Sequence, residues 1–350
     1  MRIAVLLSGG VDSSVALRLA QEIPHTEVTA FYLKIWLEEE LAFLGDCPWE
    51  EDLNFARAVC EQAGVPLEIL SFQAEYQERI VTHTLAELRR GRTPSPDILC
   101  NQRIKFGLFF DKIGSAFEKI VSGHYACVEP AGDRFLLKRS PDPVKDQTYF
   151  LSALNQEQLA RISFPIGHLT KPEVRELARK FDLPNQARPD SQGICFLGKI
   201  KYDEFVLFHL GQKPGEIIEA ETGRKLGQHR GYWFYTIGQR KGIGLSGGLW
   251  YVVNKEVESN RIIVSHSEHY LERGRDQIEI EFVHWISGEP AQQRLHAKLR
   301  HGPRLEECTI RPVDNSCWLL SLKNRDPGAA PGQHAVLYDG EICVGGGTIV

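Results

Sequence analysis

The chain opens on a strand that water cannot touch on either side. Ile3-Ala4-Val5-Leu6-Leu7 is a continuous apolar run, the pattern of a strand buried on both faces. It passes without a spacer into Ser8-Gly9-Gly10-Val11-Asp12-Ser13-Ser14 and then into the helix-like stretch Val15–Gln21. Such a strand needs helices above and below it, so this junction restricts the fold to α/β. The alternation continues with strands at Val28–Trp36, Leu67–Phe72 and Lys119–His124. Helices are expected near Asp52–Gln62, closed by Gly64 and Pro66, at Glu75–Arg90, and at Pro172–Phe181 behind Thr170 as N-cap. The order predicts a doubly wound, mostly parallel sheet with helices on both faces.

The glycines of the first loop let backbone approach an anion, and the free N–H groups of the following helix point at it. Ser8, Ser13 and Ser14 add hydroxyls, and no lysine is present, unlike the phosphate loop of kinase-like nucleotidases. A bare glycine turn can be a plain strand-to-helix connection. The pattern SGGxDS after a first strand is more specific and resembles the pyrophosphate loop of the ATP-pyrophosphatases, which cleave ATP between the α and β phosphates. By the switch-point rule the nucleotide then lies across the carboxyl ends of the strands, beside Leu33 and Gly123.

At 350 residues the chain is long enough for two or three domains. Helical periodicity fades after about residue 205. Thr222–Lys255 holds no Asp or Glu but carries Arg224, Lys225, Arg230, Arg240, Lys241 and Lys255, with Tyr232, Trp233, Phe234, Tyr235, Trp250 and Tyr251 among them. Cations for phosphate and aromatics for unstacked bases suit RNA, although such aromatics also serve as a module's own core. Arg240 and Lys241, in a glycine-rich turn, are the better phosphate candidates. Farther on, Ile278–Val283, Leu295–Arg300, Cys317–Leu322 and Ala335–Tyr338 predict a small antiparallel barrel. The expected layout is a catalytic α/β domain over 1–204, a central β-rich module over 205–272 and a C-terminal β-barrel over 273–350. The net charge of −5 excludes a uniformly basic nucleic-acid binder. No apolar run approaches the ~18 residues of a membrane span, and the opening segment is too short for a signal peptide, so a cytoplasmic protein without membrane association is expected.

Eight cysteines are too dilute for a disulfide scaffold. Two have informative neighbours. Thr93-Pro94-Ser95-Pro96-Asp97-Ile98-Leu99-Cys100-Asn101 reads as a proline-stiffened loop leading into a helix at Gln102–Phe110. A thiolate near a helix N-terminus is stabilised by the dipole, and Asp97 is close enough to exchange a proton. The alternative is a buried, inert thiol. Asp190-Ser191-Gln192-Gly193-Ile194-Cys195-Phe196-Leu197-Gly198 reads as a loop. Cys47, Cys60, Cys127, Cys308, Cys317 and Cys343 lack such surroundings and are read as structural. No metal site is expected, since there is no CxxC or HxxxH pair.

With these motifs the chain resembles the tRNA-uridine 2-sulfurtransferases (tRNA-specific 2-thiouridylases). The matching segments are SGGVDSS at 8–14, PDILCNQRIKF at 96–106, SGHYA at 122–126, KDQTYFL at 145–151, QGICFLG at 192–198 and IGQRKGIG at 237–244. The resemblance implies an ATP site at Leu6, Leu7, Ser8, Gly9, Gly10, Val11, Asp12 and Ser13, with Leu33 and Gly123. It implies Cys100 as nucleophile, Asp97 as acid/base and Cys195 as persulfide carrier, the two cysteines closing a transient disulfide. Ser95, Pro96 and Asp97 would contact the target base, and His124, Lys145, Asp146 and Gln147 the tRNA. Arg300, His301 and Gln333 fall where the family's terminal barrel touches tRNA. Ser95 stands where the family commonly has Asn.

The implied chemistry adenylates O2 of the wobble uridine of Lys, Glu and Gln tRNAs, with Mg²⁺ on the triphosphate, and releases pyrophosphate and AMP. Sulfur follows from a persulfide on Cys195, which either attacks C2 directly or is attacked by Cys100 to release sulfide, and in both routes the two cysteines end as a disulfide. Partners would be tRNA and a sulfur donor, a cysteine desulfurase or a persulfide relay protein, acting on a monomer. Rivals are another ATP-pyrophosphatase ligase, a non-catalytic tRNA binder, and a variant in which an iron–sulfur cluster delivers the sulfide.

Overall fold

The computed structural model describes residues 1–35, 48–190, 201–314 and 316–350. Its first sheet is five-stranded and wholly parallel, in the order β3 (Leu67–Ser71), β2 (Glu27–Lys34), β1 (Arg2–Leu6), β4 (Lys119–Ser122), β7 (Ile162–Ser163). The pleat of β1 sends Ile3, Val5 and Leu7 into one core with Val15, Leu17 and Val121, and Ala4 and Leu6 into another with Phe31, Phe109 and Ile120. Both faces are therefore covered, as the unbroken apolar run requires. The order reverses between β1 and β4, so the loop after β1 opens at the switch point.

Four strands between residues 215 and 266 form a second sheet in the order β10 (Trp250–Glu256), β11 (Arg261–His266), β8 (Gly215–Glu219), β9 (Lys225–His229). The third sheet contains a closed antiparallel barrel of β12 (Arg275–Trp285), β15 (Cys317–Asp326), β14 (Glu306–Pro312), β13 (Arg294–Lys298), β16 (His334–Asp339) and β17 (Ile342–Ile349), sealed by the β12–β17 pairing. The hairpin β5 (Ala126–Ala131) and β6 (Arg134–Arg139), from the α/β part of the chain, extends that same sheet. It does so by pairing Leu137 with Cys343 and Lys138 with Ile342. Strand β17 thus serves three neighbours, which its Gly345 and Gly346 allow: a Cβ there would lie 2.0 and 2.2 Å from carbonyl oxygens of His284 and Ala335. Among the described residues, no helix is long and apolar enough to cross a membrane.

Candidate active site

The loop after β1 is shaped from both sides by close backbone packing. Gly9 has φ +78°, and a Cβ on it would lie 2.1 Å from the Asp52 carbonyl oxygen. Gly123, just beyond β4, runs against the first turn of the helix Val11–Gln21, where a Cβ would lie 2.5 Å from the Ser13 nitrogen. Inside the loop, Ser13 donates to the Gly10 carbonyl (3.0 Å) and accepts from the Ser8 N–H (3.2 Å). Gly10, the N-cap, supplies no side chain to the first-turn N–H groups, which stay available for an anion. The segment 185–190 braces the loop from behind. Asn185 donates to the Gly9 carbonyl (2.8 Å) and Ser14 Oγ (2.9 Å), and Arg188 donates to the Gly9 carbonyl (3.1 Å) and pairs with Asp52. Leu33 sits at the carboxyl end of β2, in register with Leu70.

Beside the loop lies a charge cluster that sequence reading missed. Asp12 accepts from Lys171 (2.7 Å) and from the Tyr125 hydroxyl (3.0 Å). Lys171 also pairs with Asp190 (2.7 Å), which is held in addition by Lys145 and Arg175. Burial works against the charge on Asp190, but hydrogen bonds from Lys145, Lys171 and Arg175 prevail and hold its carboxyl well below the usual range. Burial, with Asp12 alongside, pushes the Tyr125 phenol far up, so it remains a donor. These partners lie up to 159 residues apart, and only the capping box Thr170–Glu173 marks where the helix Lys171–Lys180 begins.

Cys100 is not in a loop. The helix starts at Pro96, with Ser95 as N-cap, and Cys100 is its fifth residue, 1 % exposed. Proline at the first helical position lacks only an N–H that has no partner there anyway, so the prolines of this segment start a helix instead of preventing one. From Asn101 to Leu108 the turns are π-helical, and Gln158 fills the widened ladder by donating to the carbonyls of Gln102 (3.1 Å) and Phe106 (2.6 Å). Asp97 is half-buried one turn before Cys100. Burial pushes the Cys60 thiol up to about 11 and those of Cys308 and Cys343 to about 12, and Cys127 and Cys317 are raised by the same cause. Raised values disfavour the thiolate, the reactive form, at these five positions. Cys195 and Cys47 lie outside the described residues.

The central module and the barrel domain both reach the segment leading to Cys100. Thr93 donates its N–H to the Pro331 carbonyl (2.7 Å) and its hydroxyl to Thr236 (3.3 Å), and Tyr232 donates to the Arg89 carbonyl (2.6 Å). Ser95 bonds Tyr149, whose hydroxyl donates to the His334 carbonyl (3.0 Å), and His301 stacks on Phe150 at 4.6 Å. Arg300 makes a bidentate pair with Asp326 (3.1 and 2.6 Å), and Gln333 is half-buried beside His334. Gln147 accepts from the Tyr125 N–H (2.9 Å). His124 lies against Phe106 and Phe164 with Nδ1 2.7 Å from Ser122 Oγ, and burial, with Lys105 nearby, keeps it neutral. A neutral imidazole there offers a hydrogen bond, not a charge. The Asp146 carboxylate is on no surface: it is fully buried against Lys298 (2.7 Å) of the barrel. Arg240 and Lys241 are exposed. Tyr232, Trp233, Phe234, Tyr235 and Trp250 are buried and so form the module's core, while Tyr251 stacks on Tyr270 at 4.0 Å.

Family models match the chain throughout: a tRNA methyl transferase HUP domain at 1–199, a tRNA methyl transferase PRC-barrel domain at 203–266 and an aminomethyltransferase β-barrel domain at 275–349. The chain is 42% identical over 357 residues to the tRNA-specific 2-thiouridylase MnmA of Parabacteroides distasonis, covering 100% of this chain and 99% of the relative. The chain belongs to the tRNA-specific 2-thiouridylase family. Further members of the family similar to it are the MnmA of Porphyromonas gingivalis (43% over 361 residues) and MnmA 1 of Bacteroides thetaiotaomicron (43% over 356), each covering 100% of this chain and 99% of the relative. Family relatives are thus matched from end to end, through all three sheets.

Proposed function

We propose that this chain 2-thiolates the wobble uridine of tRNA, with Lys, Glu and Gln acceptors as its substrates. The observation that carries the reading is that one domain holds both a glycine loop with uncapped first-turn N–H groups and Cys100, the fifth residue of the helix that Pro96 opens, one turn after Asp97. ATP lies with its phosphates on the N–H groups of Gly9–Ser13 and its adenosine toward Leu33 and Gly123. Mg²⁺ would enter with the triphosphate and neutralise its charge. The uridine is splayed from the anticodon loop to reach Ser95, Pro96 and Asp97, because an enzyme cannot reach C2 within a stack. Adenylation of O2 expels pyrophosphate and makes AMP the leaving group. Asp97 manages the proton of Cys100, and the incoming sulfur comes from a persulfide on Cys195, leaving the two cysteines as a disulfide to be reduced. Lys145, Gln147, Arg240, Lys241, His301 and Gln333 hold the tRNA, and a persulfide-carrying protein reloads Cys195.

The test is sulfur incorporation into unmodified tRNA with ATP, Mg²⁺ and a persulfide donor. Wild type should thiolate, while Cys100→Ser and Cys195→Ser should not, yet both should still form AMP when tRNA is added. Full activity in either variant would make that cysteine structural and remove the relay. AMP formation by wild type without thiouridine until iron is supplied would favour a cluster as the sulfide source.

A further inference from the structure

We propose that Lys171 is the phosphate-binding lysine which the loop itself lacks, exchanging the Asp12 carboxylate for the β- or γ-phosphate of the bound nucleotide. The inference rests on the ATP reading above and deepens it. The loop 8–14 contains no cation, and its helix carries Asp12 in the first turn, where an anion has to bind. Asp12 repels a triphosphate unless a positive charge stands between them. Lys171 supplies a positive charge against Asp12, 2.7 Å away. It can change partner without leaving either carboxylate bare. Asp190 keeps Lys145 and Arg175, and Asp12 keeps the Tyr125 hydroxyl. The root of its side chain is fixed: the Lys171 N–H donates to Asp142 (3.1 Å), and the Thr170–Glu173 capping box pins the helix start. A firm base with a movable tip suits a group that must meet the nucleotide and then release pyrophosphate.

The test is equilibrium dialysis of the full chain with MgATP, inorganic pyrophosphate and AMP. Lys171→Gln should weaken ATP and pyrophosphate by about 10- to 100-fold, the range of one charge-assisted contact, and leave AMP within about twofold. Equal losses for ATP and AMP, or unchanged ATP affinity, would overturn the assignment. Asp190→Asn gives Lys171 one competitor fewer and should tighten pyrophosphate by about threefold, a gain that disappears when Lys171→Gln is added. A gain that persists in the double variant would assign it to Lys145 and Arg175 and refute the role of Lys171. A wild-type chain that binds ATP and pyrophosphate but makes no thiouridine would remove the thiolation reading and leave this one standing. One that binds neither removes both.

Discussion

Gly123→Ala places a methyl group where backbone already is. The new Cβ would lie 2.5 Å from the Ser13 nitrogen and 2.6 Å from the Asp12 carbonyl carbon, and neither belongs to a flexible side chain. Ordinary contact begins near 3.4 Å, so the end of β4 and the helix start must separate by about 0.9 Å. Overpacking of this kind costs about 1–3 kcal/mol of stability. The larger effect is local, because the groups forced apart include the first-turn N–H donors. A misplacement of about 1 Å in a positioned group can cost on the order of 100-fold in rate. The variant should therefore fold, with a modestly lowered melting temperature, and lose about 100-fold in kcat/KM for ATP in the tRNA-dependent AMP assay. An unchanged kcat/KM with a lowered melting temperature would separate the loop from nucleotide chemistry and refute the reasoning. Gly9→Ala, facing the Asp52 carbonyl at 2.1 Å, should behave alike.

Lys298→Met leaves the Asp146 carboxylate buried with Arg139 at 3.4 Å as its remaining cation, and breaking such a pair costs about 3–5 kcal/mol. Adding Asp146→Asn should restore most of the loss in urea titrations followed by tryptophan fluorescence; a double variant no better than the single would refute the pairing. Replacing Arg240 and Lys241 by alanine should reduce the slope of log affinity for tRNA against log salt by about 1.5, since each phosphate contact contributes about 0.7–0.9; an intact slope would move the contact elsewhere. Burial lowers His334 to about 4. The unfolded chain, with histidine near 6.5, then binds the extra proton first as pH falls, so stability should decline between about pH 6.5 and 4. His334→Gln should flatten that part of the stability curve, and an equally steep decline would point to other groups.

What could be read from the sequence was whatever is local. The double burial of Ile3–Leu7, the glycine loop and the barrel runs are each written in consecutive residues. One misreading came from a local signal with two physical outcomes: prolines 94 and 96 look like loop residues, yet Pro96 opens a helix. Tyr232–Tyr235 suits either a base-stacking platform or a core, and the packing decides for the core. The Lys171–Asp12–Asp190 cluster was invisible because its members are joined only when the helix Lys171–Lys180 packs on Val11–Gln21. The hairpin 126–139 was hidden for a similar reason: the strand that completes its sheet lies some 200 residues farther on.

That hairpin bears on how the chain comes into being. The α/β domain leaves the ribosome ahead of the barrel, but the pairing edge of β6 stays bare until β17, made some 200 residues later, comes to cover it. Arg139, whose N–H reaches the Glu341 carbonyl at 2.9 Å, waits likewise. A domain that emerges before the barrel is therefore finished only after it, and a chain stopped short of the barrel would present a sticky strand instead of a smaller enzyme.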